Sequence, residues 1–98
     1  MPNRNYIAGR NFEYEVKRYY EKMGYIVFRT AGSHSCVDLI GVHQDFSYPV
    51  LFIQCKKHNG KNKPNLERNE LSYLHLPGKK IFAVKKVRQR GFDIYEVE

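Results

Sequence analysis

Apolar residues along the chain fall into two helical stripes and a series of short strand-like blocks. Phe12, Val16, Tyr19 or Tyr20, and Met23 recur at the spacing of one helix face. Gly24 follows as a stop, because glycine accepts the left-handed conformation that ends helices. Tyr25-Ile26-Val27-Phe28 then reads as a strand, closed by Ala31-Gly32-Ser33. Residues 36–42 and 50–56, rich in Val, Ile, Leu and Phe, predict two further strands. The connection between them, 43–49, is short enough for a hairpin. Beyond Lys57 a polar loop with Gly60 and Pro64 leads to Asn65, a cap for a second helix through Leu66, Leu71 and Leu74, ended by Pro77-Gly78. Ile81-Phe82-Ala83-Val84 is the continuous apolar run of a buried central strand. The basic turn Arg88-Gln89-Arg90-Gly91 joins it to a last alternating strand, Phe92 to Val97. The order α-β-β-β-α-β-β predicts an α/β fold with a central, mixed five-stranded sheet flanked by helices. The length suits one domain over residues 1–98.

The hairpin is where pattern turns into chemistry. With Val42 opposite Val50, Asp38 comes opposite Gln54, and alternation puts Gln54 and Lys56 on the same face as Asp38. An acid, an amide and an ammonium then converge on one patch of sheet. From spacing alone an ordinary cross-strand ion pair between Asp38 and Lys56 is the better account. A metal site is the sharper one. Hard divalent cations take oxygen ligands, and Asp38, the Gln54 amide and the Cys55 backbone carbonyl all supply oxygen. Lys56 beside them would orient water or stabilise negative charge on a phosphate. In this register Cys55 points toward packing and away from Cys36, so a disulfide is not expected. The two cysteines have no CxxC or zinc spacing either.

Charge sharpens the choice of partner. The chain carries 17 Lys+Arg against 10 Asp+Glu, a net +7, which suits a polyanion because each cation on a phosphate releases condensed counterions. A surface charged only for solubility is the competing account. The composition, 42% hydrophobic and 14% aromatic, is that of a folded protein, and its small core would gain from oligomerisation. No stretch approaches the ~20 apolar residues of a membrane span, and the N-terminus lacks the apolar core of a signal peptide. The reading is an intracellular protein with no membrane association. His34, His43, His58 and His75 share no helical ligand spacing and read as exposed loop residues. Most of the eight tyrosines, Tyr19, Tyr20 and Tyr73 among them, read as packing or interface residues.

Several segments, taken in order, resemble one family. They are Gly9-Arg10-Asn11-Phe12-Glu13 before the helix stripe, Phe28-Arg29-Thr30-Ala31-Gly32-Ser33, Val37-Asp38-Leu39-Ile40, Phe52-Ile53-Gln54-Cys55-Lys56, Ala83-Val84-Lys85 and Gly91-Phe92-Asp93-Ile94. Together they are similar to the archaeal Holliday junction resolvases of the PD-(D/E)xK nuclease superfamily, over nearly the whole chain from Ile7. The resemblance implies a restriction-endonuclease-like fold. It also implies a Mg²⁺-dependent endonuclease, with Mn²⁺ substituting, that resolves four-way DNA junctions as a homodimer and takes no small-molecule substrate. Glu13 matches the helix-one glutamate that helps hold metal or its water, Asp38 the central metal-binding aspartate, and Lys56 the catalytic lysine. Periodicity alone does not prefer Glu13 to Glu15, which flanks the same stripe on its other side. Gln54 departs from the usual glutamate, giving QxK, which removes a charge but keeps an oxygen able to ligate.

Arg29 and Thr30 fall where the family has a basic residue and a hydroxyl near the scissile phosphate. Arg10 and Ser33, in the same matching segments, are placed with them as DNA contacts. Lys57, Lys61, Lys63 and Arg68, with Lys85, Lys86, Arg88 and Arg90, cluster near the site and the final turn, where phosphates would lie. A solvated basic face is the other reading of that cluster. Two further functions stay open: a related nuclease on flap, duplex or mismatched DNA, and a non-catalytic DNA-binding protein of the same fold.

Overall fold

A computed structural model of the protein describes residues 4–30, 37–58, 77–86 and 88–97. Helix α1 spans Arg4–Glu21. Its stripe buries Phe12, Val16 and Tyr20. Of the two tyrosines that the spacing allowed, Tyr20 faces the core and Tyr19 is half-exposed, its ring edge-on to Phe92. Met23 leaves the stripe because the helix has already ended, and its side chain is exposed. Gly24 makes the stop with φ +98°, and its amide donates to Glu21 O.

The strands are β1 (Tyr25–Arg29), β2 (Leu39–His43), β3 (Leu51–His58), β4 (Lys79–Lys86) and β5 (Asp93–Val97). They form one sheet in sequence order. Only β3 and β4 pair in parallel, so the sheet is mixed. The second helix expected from Asn65 through Leu74 lies outside the described residues. So does the segment at Cys36 from which the second strand was expected to start.

α1 packs on β1, β2 and β3. The layer between them holds Tyr25, Val27, Leu39, Leu51, Ile53, Ile81 and Ala83 against Phe12, Val16 and Tyr20. Each large aliphatic side chain fully buried there stabilises the fold by about 1.5–3 kcal/mol. Ile81, Phe82, Ala83 and Val84 are all buried, so β4 is covered on both faces, as its continuous apolar run predicts. The other end of the face opposite α1 is different. Ile26 and Phe28 of β1 stand 47% and 58% exposed there.

The β2–β3 hairpin has the expected register, with Leu39 opposite Ile53, Ile40 opposite Phe52 and Gly41 opposite Leu51. Its turn is braced by side chains. Asp45 Oδ1 accepts from the Ser47 amide and hydroxyl, and the Asp45 amide donates to His43 Nδ1. His43 corrects the expectation of an exposed loop histidine. It ends β2, half-buried, with its ring 4.3 Å from Tyr48 and edge-on to Tyr25 at 4.9 Å. Apolar alternation does not register such ring-on-ring contacts.

Candidate active site

The end of β1 and the start of β2 are clasped together. The Thr30 amide donates to Asp38 O at 3.0 Å, and the Thr30 hydroxyl reaches Val37 O and Asp38 O. The hydroxyl is thus engaged with backbone rather than directed outward, a local role that threonine fills often. The clasp fixes the chain on either side of Asp38.

Asp38 stands one residue beyond the last paired position of β2. Simple continuation of the ladder would set it opposite Gln54. Instead its amide donates to Ile53 O at 2.9 Å, and its carboxylate accepts from the Cys55 amide at 2.9 Å. With β2 ended, Cys55 N takes its acceptor from a side chain, and an ionised acceptor makes the stronger bond. Asp38 is therefore held on the edge of β3 beside Ile53 and Cys55. Alternation had counted on a ladder that the chain leaves one residue early.

Gln54 is 7% exposed, and its Oε1 has no hydrogen-bond partner among the described residues. Ile53 and Cys55 on either side of it face the α1 layer, so Gln54 turns to the opposite face. An amide oxygen buried without a donor costs about 1–3 kcal/mol, so its persistence calls for a ligand or a positional role. Lys56 follows, half-buried, in register with Val84 of β4.

Glu13 comes from α1. Its Oε1 accepts from Arg29 Nε at 2.7 Å, with both side chains 19% exposed. The Arg29 guanidinium also lies 5.5 Å from the Tyr14 ring centroid. Arg29 is thus positioned by Glu13 and Tyr14, a constraint that spacing had no means of registering. Burial pushes the Cys55 thiol well above its ordinary pKa, and the negative charges of Asp38 and then Glu13 push it further. Both carboxylates therefore act on the same thiol. Cys55 is a free thiol packed against the core, as alternation indicated.

Among the remaining expected contacts, Arg10 lies half-buried one helical turn before Glu13. Lys57, Arg88 and Arg90 are exposed. Arg88 has φ 63°, a left-handed conformation uncommon outside glycine, in a turn where Gln89 Oε1 accepts from the Lys86 amide. Ser33, Lys61, Lys63 and Arg68 lie outside the described residues. Glu15, set aside in favour of Glu13, pairs with Lys85 at 2.6 Å.

No group of three or more His, Cys, Asp or Glu in metal-holding geometry is present among the described residues. The candidate oxygen donors along β3 are of another composition: the Asp38 carboxylate docked on the Cys55 amide, the Cys55 backbone carbonyl and, on the face opposite α1, the Gln54 amide oxygen. That all-oxygen set fits a hard divalent cation, and the buried, unpartnered Gln54 Oε1 is the observation in favour of the fit. Among the described residues no helix is long and apolar enough to cross a membrane.

The mixed five-stranded sheet with α1 packed on it is a restriction-endonuclease-like fold. The restriction endonuclease family Mrr_cat matches residues 5–77, and the chain belongs to that family. Nucleases of this PD-(D/E)xK type generally use divalent metals and act on DNA. Among solved structures, Hjc of Archaeoglobus fulgidus, a Holliday junction resolvase from an archaeal hyperthermophile, is similar with a TM-score of 0.70. The match covers 90% of this chain and 76% of Hjc at 18% sequence identity, which is likeness of fold. No curated protein matches the sequence.

Proposed function

We propose that the chain is a Mg²⁺-dependent endonuclease that hydrolyses phosphodiesters in four-way DNA junctions and works as a homodimer. The observations that carry the reading are Asp38, docked on the Cys55 amide, and the buried Gln54 oxygen next along β3, which has no donor among the described residues. The Hjc-like fold and the net +7 charge support the choice of substrate. In this reading Glu13, Asp38, Gln54 Oε1 and the Cys55 carbonyl would hold the cation, for which Gln54 has to swing its amide from the face opposite α1. When bound, such a cation lowers the pKa of coordinated water and polarises a phosphoryl oxygen. The Cys55 amide keeps Asp38 in a single orientation, and the Thr30 clasp keeps the backbone under it from shifting. Lys56 donates to a phosphate oxygen as negative charge builds there, where a preorganised donor is worth most. Arg29 holds the Glu13 carboxylate and is drawn toward phosphate as DNA arrives. Two such sites on a two-fold dimer suit the near two-fold symmetry of a junction.

A second reading, cleavage of ordinary duplex, is favoured by membership of a restriction endonuclease family. Cleavage of four-way junction, flap and duplex at one salt concentration, with Mg²⁺ or Mn²⁺, separates the two. Faster cutting of the junction is expected. Equal cutting of junction and duplex would replace the first reading by the second, and tight binding without cutting would leave a non-catalytic DNA-binding protein.

A further inference from the structure

Glu13 accounts for one flank of α1, and the opposite flank carries a cluster that this site does not use. Asn11 and Glu15 are one turn apart on that flank, beside buried Phe12. They face the C-terminal ends of β3 and β4, where Lys57 and Lys85 are direct partners across the parallel ladder. Paired residues on adjacent strands project to the same face, roughly 5 Å apart, and like charges so placed repel. Glu15 offsets the repulsion at Lys85 through its 2.6 Å ion pair. No carboxylate among the described residues pairs with Lys57. Asn11, Phe12, Glu15, Lys57 and Lys85 together line a cleft of about 200 Å³.

We propose that this cleft is a second phosphate subsite, and that Glu15 is its internal counter-ion, holding Lys85 until a DNA phosphate displaces it. The proposal rests on the reading of the chain as a DNA-binding nuclease. Among the described residues two lysines and one asparagine line the cleft, with a single carboxylate to balance the two charges. A phosphodiester oxygen between Lys57 and Lys85 completes the balance and relieves their mutual repulsion. Lys57 follows Lys56 along β3 but projects to the α1 face, so the subsite takes a neighbouring phosphate and not the one being cut. Glu15 competes for Lys85 and keeps affinity for stray anions low. DNA, held at several phosphates at once, outcompetes it.

The test is DNA binding with metal chelated, measured against salt for a short duplex and a four-way junction. Glu15→Gln releases Lys85 and is expected to tighten binding about three- to fivefold, the scale of one partly exposed ion pair. Its plot of log affinity against log salt is expected to keep the parent slope, because the same phosphate is neutralised in both, whereas Lys85→Gln flattens the slope by about 0.9. Lys85→Gln weakens binding, and Glu15→Gln adds nothing in that background. Glu21→Gln, which removes a charge from the far end of α1, reports the general effect of charge and is expected to leave the slope unchanged. If Glu15→Gln melts below the assay temperature, Glu15→Asp, with its carboxylate drawn back from Lys85, is expected to shift binding in the same direction. Parent-like affinity in Glu15→Gln at every salt concentration, or a gain that persists without Lys85, overturns the proposal and leaves the nuclease reading standing. Absence of DNA binding by the parent protein overturns both.

Discussion

Glu13 and Glu15 sit two residues apart on the same helix, on either side of the buried stripe of Phe12, Val16 and Tyr20, and each grips one cation. Glu13 holds Arg29 where both are 19% exposed. Glu15 holds Lys85 where the lysine is 21% and the glutamate 31% exposed. The pairs look alike, but their neighbourhoods differ. Arg29 ends β1 next to the Thr30 clasp, and Glu13 joins Asp38 in raising the pKa of the Cys55 thiol. Lys85 lies beside a second lysine at a more open cleft. One helix thus presents a carboxylate to an acidic, oxygen-rich centre on one flank and to a basic cleft on the other. The ion pair itself says little about role; the charges around it decide.

The largest expected difference between the flanks is catalytic. Glu13→Gln is expected to lower the rate of metal-dependent cleavage by about 10- to 100-fold, the range for side chains that orient a metal site. Glu15→Gln is expected to cut at nearly the parent rate when DNA is saturating. Single-turnover rates for the two variants make the comparison, and equal losses would dissolve it.

A smaller contrast is expected in stability. Arg29→Met strands Glu13 in a more enclosed setting, whereas Lys85→Met leaves Glu15 with better access to water. Urea unfolding is expected to give a loss of about 1–3 kcal/mol for Arg29→Met and less than about 1 kcal/mol for Lys85→Met. The reverse order would show that the basic cleft, rather than the acidic centre, depends on its pair.

Cys55 gives the acidic flank a pH signature. Its folded pKa is raised, so the unfolded chain loses the thiol proton first. Stability from this group is complete below the unfolded pKa of about 8.5 and falls as pH rises past it, by up to about 1.4 kcal/mol per pH unit. Melting curves from neutral to alkaline pH check the sign. Cys55→Ala is expected to flatten the decline, and an unchanged decline would assign it to other groups.

The smallest expected effect is at Gln54. Gln54→Glu supplies an anionic oxygen in place of the neutral one and is expected to lower the Mg²⁺ needed for half-maximal cutting severalfold. The maximal rate need not rise, since only gains made in the transition state raise it. A titration of Mg²⁺ against cleavage rate compares the two proteins, and an unchanged midpoint would remove Gln54 from the metal site.

The same contrast explains what was legible in the sequence. The stripe of α1, the register of the β2–β3 hairpin and the double burial of β4 follow from short-range periodicity, which records which face of an element is covered. The Asp38 and Cys55 contact was legible only to within one residue, because the ladder stops where alternation assumes that it continues. Arg29 with Glu13 and Lys85 with Glu15 join residues 16 and 70 positions apart in sequence, and no local pattern encodes which carboxylate meets which cation. The Thr30 clasp was equally hidden, since a hydroxyl on a backbone carbonyl has no signature in spacing. The resemblance to junction resolvases chose Glu13 over Glu15 where periodicity was indifferent, and it carried no information about the cleft on the other side.

The central claim is that Asp38, on the acidic flank, anchors a metal-dependent cut in DNA. The most direct measurement is strand cleavage of a synthetic four-way junction by the parent protein and by Asp38→Asn, each with Mg²⁺ and with chelator, alongside binding of the same junction. The parent protein is expected to cut with Mg²⁺ and to stop with chelator. Asp38→Asn is expected to bind the junction with near-parent affinity and leave it intact. Cleavage by Asp38→Asn at the parent rate, or cleavage by the parent in chelator, would contradict the account.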